Sequence, residues 1–298
     1  MGACIQIEGG GRQCPRPRVP VAFSRATSSP GPIEAAEEVS PLQSGNSTIL
    51  MSDDPYRQTA RYYRDILDPS AFVVQCRRWS DAARGMTPNR HLDVGCGIGD
   101  LVKFASANGW LAEGIDPSPH MIEVGRHLHP RLAITVGTLE TAGAHRWNLV
   151  SATGDVVNHL AMIYGPEAAL TMLGTVVATG GTLIGDAVLD LDIIDNWEGC
   201  LNRYVRPGVF VMEADHRLTS TTPAVGTIER RWWLQHEPDS GPPDLIETET
   251  IRGVRAEEIA GPLRPLFRRV EVFDWDTGLA LSGQSCRVGF TARERMSP

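Results

Sequence analysis

Asp93, Gly95, Cys96, Gly97 and Gly99 lie in the stretch HLDVGCGIGD (91–100), where three glycines alternate with other residues directly after an apolar run. Glycine there permits positive φ and lets a ligand come up to bare backbone. A second acid, Asp116 in WLAEGIDPS, follows about 20 residues later, the distance at which nucleotide-binding α/β units offer a carboxylate to ribose hydroxyls. Two carboxylate oxygens can accept from two vicinal hydroxyls, which Asn or Ser does less well. His159, in the sequence NHL, has a ring that titrates near neutral pH. These residue types predict a nucleoside-like ligand cradled by backbone and carboxylates, with a proton acceptor in the chain. Cys96 sits among small residues in the turn and reads as a buried filler rather than a nucleophile.

The elements that must position these residues are legible around them. Leu92 and Val94 form a strand, the glycines a tight turn, and a helix runs from Asp100 to Ala107. The second strand ends at Asp116–Pro117, and Ser118 is the expected N-cap of a helix from Pro119 to Leu128 that carries Met121. A third strand and turn follow in AITVGTLE (133–140), with Thr138, Leu139 and Glu140 at its end. A fourth, WNLVSA (147–152), leads into Thr153, Asp155, Asn158 and His159. A fifth is GTLIGD (181–186). The spacing of the first turn is GxGxG, not the GxGxxG of nicotinamide-binding proteins.

Together, the acid two residues before Gly95, the GxGxG turn and the Asp116 turn resemble motifs I and II of the class I S-adenosylmethionine (SAM)-dependent methyltransferases. The resemblance covers roughly residues 56–293. It implies a Rossmann-like α/β fold, with a mostly parallel seven-stranded sheet whose final strand is antiparallel, and SAM as cofactor. By the same resemblance Asp93, Gly95, Cys96, Gly97, Gly99, Asp116, Pro117, Met121, Thr138, Leu139, Glu140, Thr153 and Asp155 would line the cofactor, Asp93 near its amino-acid end. Relatives often carry Asp just after the glycine of the third turn; Thr138 stands there, and its hydroxyl or Glu140 can accept from the adenine amino group. The ending SCRVGF (285–290) resembles the last hairpin of the family.

The chain has 298 residues, 42% of them hydrophobic, enough for one large α/β domain with an embellishment. The net charge is −8, and the arginine pairs are separated by acidic stretches. A nucleic-acid binder shows a basic face instead, so nucleic acid is not expected as substrate. None of the six cysteines forms CxxC, and no Cys/His cluster has metal-ligand spacing. No metal is expected, and a reducing cytoplasm is the expected location. No stretch approaches 18 apolar residues, so no membrane span is expected. Residues 1–50 hold six Pro, six Gly and six Ser without apolar periodicity, which reads as a disordered or spurious extension before a domain spanning 51–298.

Before the first strand, a helix over 54–66 carries Tyr56 and Tyr63 at helical spacing, followed by a second helix over 70–83. Relatives open with a similar helix that closes over cofactor and acceptor. Between the fifth strand and a helix at 256–266 lies an insert over about 189–253. It reads as a helix (193–204) and three strands (208–218, 227–237, 244–252) separated by Pro and Gly. It resembles the acceptor-covering antiparallel sheet of glycine, sarcosine and amino-sugar N-methyltransferases. By that resemblance His159 is the candidate general base, and Tyr56 and Tyr63 are candidate acceptor contacts; Asn158 beside His159, Arg203 as a partner for an acidic group and Trp232 as an apolar pocket wall are further candidates. Trp232 or Trp233 alternatively fills the interface between insert and body. The expected activity is methyl transfer to a small-molecule amine or hydroxyl. Open alternatives are methylation of a carboxylate, which needs no base, SAM binding without transfer, and a nicotinamide-dependent oxidoreductase. The residues leave the oligomeric state open, a homodimer among the options.

Overall fold

The computed structural model describes residues 50–51, 54–143 and 147–297. Of the stretch 1–50, read as an extension, residues 1–49 lie outside the described residues and Leu50 pairs in parallel with Leu245. In chain order the elements are β1 (Leu50–Met51), α1 (Thr59–Ile66), α2 (Pro69–Ala83), β2 (Arg90–Val94), α3 (Asp100–Ala107), β3 (Leu111–Asp116), α4 (Pro119–Leu128), β4 (Ala133–Val136), β5 (Trp147–Ala152), α5 (Val156–Tyr164), α6 (Pro166–Val176) and β6 (Val177–Val188). The insert holds α7 (Asp190–Asn196), β7 (Cys200–Arg206), β8 (Phe210–Thr221), β9 (Ala224–Leu234) and β10 (Leu245–Arg252). The chain closes with α8 (Ala256–Leu263), β11 (Phe267–Asp274) and β12 (Arg287–Arg295).

The main sheet has seven strands in the order β11-β12-β6-β5-β2-β3-β4. β12 runs antiparallel to both β6 and β11, while β2 to β6 pair in parallel. Strand residues alternate between two cores, as the period of two requires. Val150 and Leu183 pack with Val157, Leu170, Leu173 and Ile259 from α5, α6 and α8. Their neighbours Leu149 and Ile184 pack on the other face with Trp79, Leu101, Val102 and Ile122 from α2, α3 and α4. Burial on both faces explains why these strands are continuously apolar. The strand order reverses between β2 and β5, and a crevice at the carboxyl ends of such strands is where open α/β sheets take their ligands.

The second sheet has the order β1-β10-β9-β8-β7, with β7 to β10 antiparallel and β1 added in parallel along β10. The expected insert helix over 193–204 ends at Asn196 instead, and 200–206 is a fourth antiparallel strand. Gly199 takes φ 75° and breaks the helix; beyond it Cys200, Asn202 and Tyr204 pair opposite His216, Ala214 and Met212 in a strand period. One face of this sheet carries Phe210, Met212, Ile228, Trp232, Leu245 and Ile251, packed against Ile193 of α7 and Tyr62 and Ile66 of α1. The N-terminal helix is therefore anchored to the insert. No helix among the described residues is long and apolar enough to cross a membrane.

Candidate active site

The turn after β2 opens the site. Gly95 and Gly97 take φ 66° and 53°. A Cβ on Gly95 would lie 2.3 Å from Val156, so that glycine serves close packing, whereas a Cβ on Gly97 would meet nothing within 4 Å. The open side of Gly97 is a backbone cradle of the kind a ligand fills. Asp116, 7% exposed, stands beside it: Gly97 N–H donates to Oδ2 at 2.8 Å and Ser118 N–H to Oδ1 at 2.9 Å. Burial raises the Asp116 pKa, and these backbone bonds oppose the shift. Ser118 Oγ accepts from Met121 N–H at 3.2 Å, the expected N-cap. Cys96 packs against Gly114 and Val102, and burial pushes its thiol pKa up, as expected of an inert filler.

Asp93 is almost fully enclosed. Ser151 Oγ lies 2.6 Å from its Oδ1 and 2.8 Å from His91 Nε2, which also accepts from the Trp79 indole N–H at 3.2 Å. Burial raises the Asp93 pKa to about 7 and lowers that of His91 to about 3. At the third turn Leu139 is buried while Glu140 is exposed and accepts from the Tyr164 hydroxyl. Pro117 lies exposed on the rim and Thr138 leads into the short turn at 139–141.

The loop after β5 is pinned from several sides. Thr153 Oγ1 accepts from Gln75 of α2, and Gly154 N–H donates to Asp186 at 2.9 Å. Arg287 of β12 bridges Asp186 and Asp155, at 2.8 Å from Nε to Asp186 and 2.7 Å to Asp155. Asp155 itself takes φ 70° ahead of α5 and makes no side-chain cap. Its carboxylate is thus engaged by arginine.

One helical turn further, His159 meets the insert. Its Nε2 lies 2.8 Å from Glu249 Oε1 and 2.9 Å from the Tyr56 hydroxyl, which donates to the same Oε1 at 2.7 Å. Arg230 holds the other Glu249 oxygen. Burial alone would lower the His159 pKa, but the bond and charge of Glu249 outweigh it and the net shift is upward. For Glu249, burial is outweighed by Arg230 and His159, and its pKa falls well below the carboxylate range. Tyr63 packs with Tyr56 on a small apolar cluster of Ala60, Ile98 and Met121 beside the glycine turn, and burial raises its pKa. Glu247, fully buried, accepts from the backbone N–H groups of Gln58 and Thr59, the Thr59 hydroxyl at 2.8 Å and the Trp232 indole at 2.9 Å. It grips the N-terminal end of α1. Asp54 ties the same segment to α4 through Ser118 Oγ at 2.8 Å and His120 at 2.7 Å.

Three expected acceptor contacts lie elsewhere. The Asn158 amide is fully buried and taken up by backbone: it donates to Val188 and Arg252 carbonyls at 3.0 and 2.7 Å and accepts from Val188 N–H at 2.8 Å. It clamps α5 to β6 and β10. Trp232 is 0% exposed and fills the interface between α1 and the insert, against Tyr62 and Phe210. Arg203 pairs with Glu213 and Glu237 on the opposite face of the insert sheet from Arg230 and Glu249, as the strand register dictates. Arg230, Glu247 and Glu249 join this site without a motif to announce them. Their signal is charge on the wrong side of an alternating strand: Arg230 shares its face with Ile228 and Trp232, and Glu247 and Glu249 share theirs with Leu245 and Ile251.

A family model described as "Methyltransferase domain" matches residues 68–237. That is more than half of the chain, and the chain belongs to this family. No curated protein matches it. Among solved structures, an S-adenosylmethionine-dependent methyltransferase from Clostridium acetobutylicum superposes with TM-score 0.62 at 11% identity, covering 79% of this chain and 96% of its own. The CcbJ methyltransferase from Streptomyces caelestis gives 0.63 at 13% identity, covering 82% and 98%. The sugar N-methyltransferase KedS8 from Streptoalloteichus sp. gives 0.60 at 15% identity, covering 87% and 98%. At these identities the likeness is one of fold, and the fold is that of the SAM-dependent methyltransferases.

Proposed function

We propose that this protein transfers a methyl group from SAM to the nitrogen of a small-molecule amine. When bound, SAM supplies a methyl made electrophilic by a sulfonium. The open backbone at Gly97 and the preset carboxylate of Asp116 suit the nucleoside half, and Asp93 suits the amino-acid half. His159 takes a proton from the acceptor so that a lone pair is free to react. Tyr56, reaching across from the segment that α1 carries, helps close the site to water.

The observation that carries the choice of amine is the charge around His159. Asp116, Asp155, Asp186, Glu247 and Glu249 gather at this edge, against Arg230 and Arg287. Five carboxylates against two guanidiniums leave a net negative field at this edge, which favours cationic ligands and disfavours a carboxylate acceptor. A carboxylate would also have no use for a base paired with Glu249. The test is methyl transfer from labelled SAM to a panel of amines, phenols and carboxylic acids, with products read by mass. Amines should gain methyl, and His159→Gln should slow turnover by roughly 10²- to 10⁴-fold, the usual contribution of a general base, while SAM still binds. Methylation of carboxylic acids with His159→Gln fully active would overturn the proposal. So would tight SAM binding with no product from any amine.

A further inference from the structure

The hydrogen bonds around His159 decide which of its nitrogens can act. Nε2 faces two oxygens, Glu249 Oε1 at 2.8 Å and the Tyr56 hydroxyl at 2.9 Å, and those oxygens are themselves 2.7 Å apart. A tyrosine hydroxyl has one proton to give, and a carboxylate has none. If Nε2 were bare, its lone pair would face the Glu249 oxygen at hydrogen-bond distance with no proton between them. If Nε2 carries hydrogen, every contact is satisfied: Nε2–H donates to Glu249 and is shared with the Tyr56 oxygen, while the Tyr56 hydroxyl donates to Glu249. The neutral ring therefore has its hydrogen on Nε2 and its lone pair on Nδ1. Among the described residues Nδ1 has no hydrogen-bond partner, and it is absent from the buried unpaired atoms of the site. The ring is 29% exposed against 4% for Glu249.

From this arrangement we infer that Glu249, itself held by Arg230, is a positioning residue that fixes the His159 tautomer and presents Nδ1 as the proton-accepting atom toward the acceptor. The inference rests on the reading of His159 as the base. Glu249 does not touch the acceptor in this scheme. It orients the ring, and it stabilises the imidazolium once Nδ1 has taken the proton. The proton then sits on Nδ1, the only nitrogen free to receive it, and leaves to solvent. Arg230 makes the device affordable in physical terms, because a carboxylate this enclosed needs a countercharge even when His159 is neutral. Its guanidinium lies 5.9 Å from the Tyr56 ring centroid, which keeps the four side chains in one packed unit. The upward shift of the His159 pKa agrees with a ring braced by a carboxylate.

The experiment is nitrogen-15 NMR of histidine-labelled full-length protein, with His159 assigned by its loss in His159→Gln. At high pH the wild-type ring should show a protonated Nε2 and a bare Nδ1, and it should titrate above an ordinary histidine. In Glu249→Gln the titration should move down by a pH unit or more. The acid limb of the kcat/KM profile should move with it, and kcat should fall roughly 10- to 100-fold, within the contribution of general-base catalysis, with SAM affinity unchanged. A bare Nε2 in the wild type would overturn the inference, whether or not Glu249→Gln folds. An unmoved His159 titration in folded Glu249→Gln would overturn it equally. Failure of the function reading shows differently: His159→Gln would then keep full activity whatever its tautomer.

Discussion

Replacing Asp93 by Asn keeps the shape of the side chain and removes a proton equilibrium from a closed chain of hydrogen bonds. Ser151 has a single hydroxyl proton and two close partners, Asp93 Oδ1 at 2.6 Å and His91 Nε2 at 2.8 Å. Trp79 can only donate, which leaves Nε2 of the neutral His91 as an acceptor. With Asp93 ionised, Ser151 donates to it and turns a lone pair toward Nε2. With Asp93 protonated, the carboxyl donates to Ser151 and Ser151 donates to His91, and both contacts are satisfied. This fits a pKa raised by burial from 3.8 to about 7. The sign follows: a raised carboxyl pKa favours the folded state below the unfolded value, and that stability is lost as pH climbs from 3.8 through 7. Above pH 8 the ionised group costs about 4 kcal/mol, three pH units at 1.36 each; at pH 5 it costs less than half of that. An amide can donate to Ser151 as the protonated acid does, without titrating. Asp93→Asn should therefore stabilise the protein relative to wild type by about 2–3 kcal/mol more at pH 8.5 than at pH 5, read by urea unfolding at both pH values. Calorimetry should show weaker SAM binding by the same variant if the carboxylate is offered to the cofactor as proposed. A variant-to-wild-type difference that is the same at both pH values, or larger at pH 5, would refute the protonation argument.

Glu247→Gln puts an amide where two oxygens serve four donors. The amide oxygen can satisfy the Gln58 and Thr59 N–H groups, but its nitrogen then faces the Trp232 indole N–H, a loss of about 1–3 kcal/mol for one orphaned buried donor. Hydrogen exchange over residues 54–66 should quicken and the KM for SAM should rise; unchanged exchange would show that α1 is held by Tyr62 and Ile66 alone. Asn158→Ala removes three buried bonds to the backbone of Val188 and Arg252 and should destabilise the protein by about 2–4 kcal/mol, measured by urea unfolding, with the acceptor KM unmoved. A stable variant with a raised acceptor KM would restore Asn158 to the acceptor site, as the sequence first suggested.

The half of the site proposed for the cofactor was legible in the chain and the half proposed for the acceptor only in part, for a physical reason. Gly95, Gly97 and Asp116 act through local geometry: a turn that only glycine accepts, and a carboxylate at the end of the next strand whose two oxygens bond to backbone on either side of it. Such requirements leave a fixed spacing in the sequence. The side proposed for the acceptor is assembled from residues far apart in the chain; the sequence singled out Tyr56 and His159 but not their partners Arg230 and Glu249, because no spacing connects them. They meet because α5 packs on β10 and α1 packs on the insert sheet, both consequences of tertiary register. The error over the insert helix had the same origin. Residues 200–206 carry a strand period of alternating faces, but without the partner strand Phe210–Thr221 in view it reads as a continuation of α7. What the sequence did contain was a conflict: on β9 and β10 a guanidinium and two carboxylates occupy the face that Trp232 and Ile251 bury. Charges placed on a core face carry a desolvation penalty unless they are paired. Three of them on adjacent strands, with opposite signs, point to mutual pairing and to a role that outweighs the penalty. The same sign of conflict marks Asp93, a carboxyl within a buried strand. In both places the fold tolerates an unfavourable burial where the proposed chemistry needs a charge or a proton held in one position.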